Sequence, residues 1–246
     1  MPELKLIEQF HTALKDYQLS RHALTILAKT RLVVLTAPTA SGRNTIINEL
    51  LRTNEYNFIV SDTTRPPRAN NGIIEQDGRE YFFRDEESML ADIKAGNFLE
   101  AEVIHEQQVS GISIRELETA SHEHRAAIAD IDIGGVANIL RLKPDTIAIL
   151  VLPPNFTIWN ERIHTRGAMD DAEYCRRLQT AARILESGIA ESSVLKIVVN
   201  DNLTDASEKI HELVQDDVFS AVQQAHGVLL AKQLLADTRQ ALAASK

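Results

Sequence analysis

RLVVLTAPTASGRNT, residues 31 to 45, begins as a run of apolar and β-branched side chains and ends as a stretch of small ones. A continuous apolar run that stops at a small-residue loop predicts a buried parallel strand entering a turn, because a strand covered on both faces has no polar face to show. Helical spacing resumes at Thr45 to Leu51, so the segment predicts strand, loop and helix in succession. Such a loop can hold phosphate. Small residues let successive backbone N–H groups turn toward the oxygens, and a helix N-terminus and a cation supply positive potential. Here the small residues are Ala40, Ser41 and Gly42, the cation is Arg43, and Asn44 and Thr45 open the helix. The loop departs from G-x-x-x-x-G-K-[ST] at the first glycine (Ala37), the lysine (Arg43) and the hydroxyl residue (Asn44, with Thr45 one step later). An ordinary strand-to-helix turn with an exposed arginine would use the same residue types, and the segment alone leaves both readings open.

Further apolar runs follow. RAAIADIDI, residues 125 to 133, reads as a strand whose end alternates Asp130, Ile131, Asp132, Ile133, which would put both carboxylates on one face. Thr146 to Leu152 stops at Pro153 and Pro154, and Leu195 to Val199 stops at Asn200 and Asp201. Strands alternating with helical segments predict an α/β fold: a central parallel sheet flanked by helices, with ligands at the carboxyl ends of the strands. The core is expected in residues 31–61, 114–154 and 189–215. One insert, 62–113, is short-patterned and polar and predicts a small lobe; the other, 155–188, predicts an Arg-rich helical hairpin. Residues 1–30 and 216–246 carry helical spacing and form extensions at either end.

Composition narrows the function classes. The chain has 246 residues, 44% hydrophobic and 25% charged, as in ordinary globular proteins. A net charge of -9 argues against nonspecific binding to nucleic acid or an anionic membrane, while leaving room for a local basic pocket. The single cysteine, Cys175, cannot form an internal disulfide and suits a reducing compartment. MPELKLIEQFHTALKDY at the start is too polar for a signal peptide, and no apolar run reaches the ~18 residues of a membrane helix, so a cytoplasmic protein is expected.

FIVSDTTRPPR (58–68), DGREYFF (77–83) and NFLEAEV (97–103) carry the decisive pattern. In this order they resemble the S-x-T-T-R-x-P-R, N-G-x-[DE]-Y-x-F and F-[IL]-E motifs of the guanylate kinase family. DIDIGGV (130–136) is similar to that family's D-I-D-x-Q-G, ERIHTRG (161–167) to its lid motif, and RRLQTA and VVNDNL complete the series. The resemblance spans residues 31 to 215. It implies a P-loop kinase with a small GMP-binding lobe (62–113) and a helical lid (155–188), transferring the γ-phosphoryl of ATP to GMP with Mg²⁺ as cofactor.

The roles this implies agree with the residue chemistry. Arg65 and Arg68, stiffened by Pro66 and Pro67, can converge on one phosphate, and Tyr81 can add a hydroxyl donor. Glu100 offers an acceptor-only carboxylate to the adjacent N1–H and N2–H donors of guanine. By resemblance Ser61, Ser113 and Asp132 complete the base pocket, and Asn200 contacts adenine. Arg162, Arg166 and Arg177 of the lid would neutralise the transferring phosphoryl group beside Arg43, Asp130 would orient the water shell of the metal, and Thr45 or Asn44 would approach Mg²⁺ or phosphate.

The departures matter equally. Arg43 stands where the family has a compact lysine. Gly134 replaces a glutamine, and HEQQVSGIS (105–113) lacks the paired tyrosines, with Ser110 in the place of the second. The loop Ala69 to Gln76 is longer than the family's connection, and the terminal extensions lie outside the resemblance and are candidates for homodimer formation. Two readings therefore stand beside active GMP phosphorylation. One is a catalytically inert module that binds GMP or a phosphorylated partner; the other is a kinase for a different phosphorylated acceptor.

Overall fold

A computed structural model describes residues 4–70, 73–165 and 169–244; Arg166 and Gly167 of the expected lid lie outside them. In chain order the elements are α1 (Ile7–Lys15), α2 (Arg21–Lys29), β1 (Leu32–Thr36), α3 (Arg43–Leu51), β2 (Tyr56–Phe58), β3 (Asp62–Thr63), β4 (Ala69–Asn70), β5 (Ile73–Ile74) and β6 (Phe82–Phe83). Then come α4 (Glu86–Lys94), β7 (Phe98–Ile104), β8 (Gln108–Ser113), α5 (Ile114–His122), β9 (Ala126–Asp130), α6 (Ile133–Leu142) and β10 (Ile147–Leu152). The chain continues through α7 (Phe156–His164), α8 (Asp171–Ala190), β11 (Lys196–Val199), α9 (Leu203–Asp216) and α10 (Ala221–Ala244). The fold is α/β, with a parallel five-stranded sheet in the order β11-β10-β1-β9-β2 and flanking helices, as the alternation of apolar runs predicts. Among the described residues no helix is long and apolar enough to cross a membrane.

The chain divides into two compact units. The first comprises Met1–Arg31 and Tyr56–Ala129. Within it β2 runs parallel to β9, and a separate four-stranded sheet has the order β6-β3-β8-β7, with β7 and β8 as an antiparallel hairpin. Helix α1 packs on α4 and β7, where Leu4 and Phe10 join Met89, Leu90, Ile93, Phe98 and Val109 in one apolar cluster. Phe10 is fully buried, and burying a side chain of that size is worth about 1.5–3 kcal/mol. Helix α2 packs on α5 and is capped by Ser20, whose hydroxyl accepts from the Ala23 N–H at 3.0 Å.

The second unit comprises Leu32–Glu55 and Asp130–Lys246. Strand β1 is buried along its whole length and pairs in parallel with β10, which pairs in parallel with β11. Helix α10 lies along α8 and β11, and Gly227 allows the approach: a Cβ there would stand 2.7 Å from Ile197 Cβ and 3.0 Å from its carbonyl oxygen. The α10 residue Gln224 accepts from Ile197 N–H at 3.0 Å and donates to the Leu195 and Ser192 carbonyls at 2.9 and 2.6 Å. The terminal helices thus bury their apolar faces within their own units, leaving Leu24, Val222 and Leu229 exposed.

One strand ends earlier than the alternation suggests. Strand β9 stops at Asp130, and Asp132 is the N-cap of α6, its carboxylate accepting from the Gly134 and Gly135 N–H groups. An aspartate followed by two glycines serves helix initiation better than a strand, because its side chain satisfies N–H groups that the new helix leaves open. Asp130 and Asp132 therefore do not share a strand face.

Candidate active site

In the second unit the loop from Ala37 to Gly42 joins β1 to α3. Gly42 has φ +89° and is the N-cap of α3, with no side chain capping the helix. A helix start without a side-chain cap is a place where an anion can bind. Ala40 also adopts a left-handed conformation, φ +62°, a strain that an alanine bears at about 1–2 kcal/mol and a glycine would not. Asn200, buried just beyond β11, donates from Nδ2 to the Ser41 carbonyl at 2.8 Å and packs where a Gly42 side chain would have to go. The amide expected at adenine thus braces the loop itself. Among the described residues, the buried hydroxyls Thr36 Oγ1 and Ser41 Oγ meet no hydrogen-bond partner, so the end of β1 and its loop hold unused polar capacity. A cavity of about 290 Å³ opens here, lined by Ala40, Gly42, Thr45, Arg162, Thr165, Asn200, Asp201 and Leu203, a size at the lower end for small-molecule sites.

Arg43 turns its guanidinium onto Asp130, with Nη2 donating to the carboxylate, and Nε reaches Asn44 Oδ1 at 3.3 Å. Burial pushes the Asp130 carboxyl up from its ordinary value, and the charge of Arg43 pulls against that shift. The two groups expected to serve phosphate and metal water are thus engaged with each other. Arg162 donates to the Asn200 carbonyl at 3.2 Å and lines the cavity. Arg177, expected beside it, is held within its own helix by Glu173 at 2.8 Å. Tyr174 bonds Asn160 at 2.7 Å, joining α8 to α7.

The first unit holds the other cluster. Arg65 is 5% exposed and faces Glu75, 8% exposed. Its Nη1 and Nη2 donate to the two carboxylate oxygens at 2.5 and 3.0 Å. Glu75 also accepts from the Arg68 backbone N–H at 2.8 Å, while the Arg68 guanidinium reaches Gln108 Oε1 at 3.3 Å. The hydrogen bond from Arg65 lowers the Glu75 carboxyl to about 2 against the opposing cost of burial. The Arg65 guanidinium lies 4.6 Å from the centre of the Tyr81 ring, within cation–π range. Arg65 and Tyr81 thus lie together, with the Glu75 carboxylate joining Arg65 to the Arg68 backbone, while the Arg68 guanidinium turns to Gln108.

In the same unit Asp62 is fully buried and accepts from Arg84 at 2.5 Å and Arg115 at 2.7 Å. Arg84 also holds Asp92 at 2.8 Å. Ser110 donates to Thr63 Oγ1 at 2.9 Å. Ser113 caps α5 by accepting from the Arg115 N–H at 3.2 Å, so this hydroxyl serves the helix start. Glu100 is half-buried on β7, opposite Ile112 of β8, and the Ser61 carbonyl accepts from the Phe82 N–H at 2.9 Å. Asp132, grouped with these by resemblance, belongs to the other unit, at the start of α6.

Glu75, Asp62, Arg84 and Arg115 were not singled out by sequence reasoning. Glu75 had one signal: it is the only acidic residue of Ala69 to Gln76, the loop that follows the arginine pair. Asp62 and its two arginines, 22 and 53 positions away, had none.

Comparison with known proteins agrees with this architecture. A sequence model described as Guanylate kinase matches residues 29–217. The chain is 34% identical over 190 residues to the guanylate kinase of Thermotoga maritima, covering 77% of this chain and 88% of that one. It is 32% identical over 192 residues to guanylate kinase 1 of Arabidopsis thaliana, where the match takes in 77% of this chain but 48% of the plant protein. Among solved structures, the guanylate kinase of Anaplasma phagocytophilum superposes with a TM-score of 0.55 at 21% identity, covering 81% of this chain and 93% of that one, a likeness of fold. With the family match covering residues 29–217, well over half of its length, the chain belongs to the guanylate kinase family.

Proposed function

We propose that this protein is a nucleoside monophosphate kinase that phosphorylates GMP with ATP. The observation that carries this reading over an inert binding module is the built state of the nucleoside triphosphate side. Gly42, Asn200 and Ser41 lock the loop, α3 starts uncapped, and Arg162 lines the same cavity. A module that only read a monophosphate would have no use for that construction.

The first-turn N–H groups of α3 would hold the terminal phosphates, and Arg43 and Arg162 would meet the charge that spreads over the transferring group. Arg43 must exchange its Asp130 contact for phosphate as ATP enters. Bound Mg²⁺ would supply charge neutralisation on the ATP phosphates; the oxygen donors present fit it, with Thr45 at the cavity and the Asp130 carboxylate available once Arg43 turns away. In the other unit Arg65, Arg68 and Tyr81 would receive the GMP phosphate, and Glu100 would read the guanine edge. A coupled assay with ATP and Mg²⁺, comparing GMP with AMP, CMP and UMP, tests this. Turnover of GMP alone is expected, and its absence at high enzyme concentration would overturn the reading.

A further inference from the structure

The family match begins at residue 29, yet the segment before it is tied into the lobe that carries Glu100. Strand β7 is the edge of its sheet, so its outward backbone groups have no strand to pair with. At Phe98 both are taken by one side chain. The Tyr17 hydroxyl donates to the Phe98 carbonyl at 2.5 Å and accepts from the Phe98 N–H at 2.8 Å. Close by, Ser20 N–H donates to the Gly96 carbonyl at 3.0 Å. Gly96, φ +74°, has no room for a side chain, since a Cβ would stand 2.5 Å from Ser20 N and 2.8 Å from the Gln18 carbonyl oxygen.

The clamp sits at an irregular point in the ladder. Phe98 pairs with Ser113 but Glu100 pairs with Ile112, a shift that makes Leu99 the extra residue of a β-bulge. A slip of one residue in a strand turns every side chain to the opposite face, so the position of this bulge decides the face on which Glu100 is presented. Leu99 and Phe98 are both buried, but apolar packing alone is a weak register signal where two adjacent residues are both apolar. The two hydrogen bonds from Tyr17 single out Phe98.

We propose that the N-terminal helical segment is a specificity element: Tyr17, by holding the outer edge of β7 at Phe98, fixes the bulge and so the presentation of Glu100 to the base of the acceptor nucleotide. Tyr17 is a positioning residue and touches no substrate. The inference rests on the reading of Glu100 as the guanine acceptor.

The test uses the full chain and compares turnover of GMP with that of inosine 5′-monophosphate, which lacks the 2-amino donor. Glu100→Gln is expected to remove most of the preference for GMP. Tyr17→Phe removes both hydrogen bonds to Phe98 and is expected to lower the preference by roughly tenfold, through a higher KM for GMP, with the KM for ATP unchanged. If Glu100→Gln lowers the preference and Tyr17→Phe leaves it intact, the positioning role is overturned while the base reading stands. If Glu100→Gln itself changes nothing, the base reading fails and this proposal falls with it. Should Tyr17→Phe not fold, amide exchange on the wild-type protein decides. Saturating GMP is expected to slow exchange in residues 14–20 together with 96–101, and slowing confined to 96–101 overturns the proposal.

Discussion

Arg65 holds Glu75 through both of its Nη atoms, at 2.5 and 3.0 Å, with each side chain less than a tenth exposed. A planar fork matched to two oxygens of a carboxylate is matched equally to two oxygens of a phosphate. The pair therefore keeps the guanidinium oriented and desolvated.

Glu75→Gln is expected to destabilise the fold by about 3 kcal/mol, because removing one partner leaves a buried guanidinium without its counter-charge. Added phosphate or GMP should raise the melting temperature of the variant more than that of the wild type, since a ligand that restores the missing negative charge binds only the folded state. Thermal scans with and without phosphate check both statements.

The same pair sets a pH dependence. The Glu75 carboxyl is held at about 2 in the fold against an ordinary 4.5. A depressed value stabilises the folded state fully above the ordinary carboxyl range and loses that contribution as pH falls toward the folded value. The stability gap between wild type and Glu75→Gln should thus be constant above about pH 5 and shrink steadily between pH 4.5 and 2. Unfolding followed across that range measures it.

Arg43 is the only cation of the loop, although it rests on Asp130. Arg43→Ala should lower kcat by about 10²-fold, the effect of removing one transition-state donor, with the KM for GMP unchanged. Arg43→Lys should retain activity within about tenfold of wild type, because a point charge can still reach phosphate though not in forked geometry. Steady-state kinetics at saturating ATP separate these outcomes.

Gly42 meets two constraints at once, a φ of +89° and the Asn200 amide packed against its α-carbon. Gly42→Ala should cost about 2 kcal/mol of stability from the left-handed backbone alone, and should weaken ATP binding by displacing Asn200 from the Ser41 carbonyl. Calorimetry with ATP, beside urea unfolding, reads the two effects. GMP affinity should stay unchanged.

Four of the five parallel strands, β1, β9, β10 and β11, were legible as apolar runs. Three of them are stopped by residues that cannot continue a strand, small residues after β1, prolines after β10 and Asn200 after β11, whereas β2, Tyr-Asn-Phe, is too short and polar to show such a run. The end of β9 was not legible. Asp-Ile-Asp-Ile satisfies a period of two, and only the helix that follows reveals Asp132 as a cap. The nearness of Arg65 to Tyr81 is seen in the structure, whereas the two guanidinium groups flanking Pro66 and Pro67 take different partners, Glu75 and Gln108. The counter-charges were hidden, since ion pairing depends on which loops and strands fold together: Glu75 comes to Arg65 across an insert, and Asp62 to Arg115 across a sheet. The periodicity of both extensions announced helices, and nothing in it announced that Tyr17 and Gln224 would each seek a strand.

Tyr17 and Gln224 do the same work at different sheets. Each stands on a segment outside the family's matched span, residues 29–217; Tyr17 meets both the N–H and the carbonyl of Phe98 on β7, and Gln224 accepts from Ile197 of β11 and donates to the Leu195 carbonyl just ahead of that strand. An outermost strand with open backbone groups is a template for a stray chain. The flanking segments therefore cover backbone groups at the two sheet edges, in places where another polypeptide could otherwise add itself.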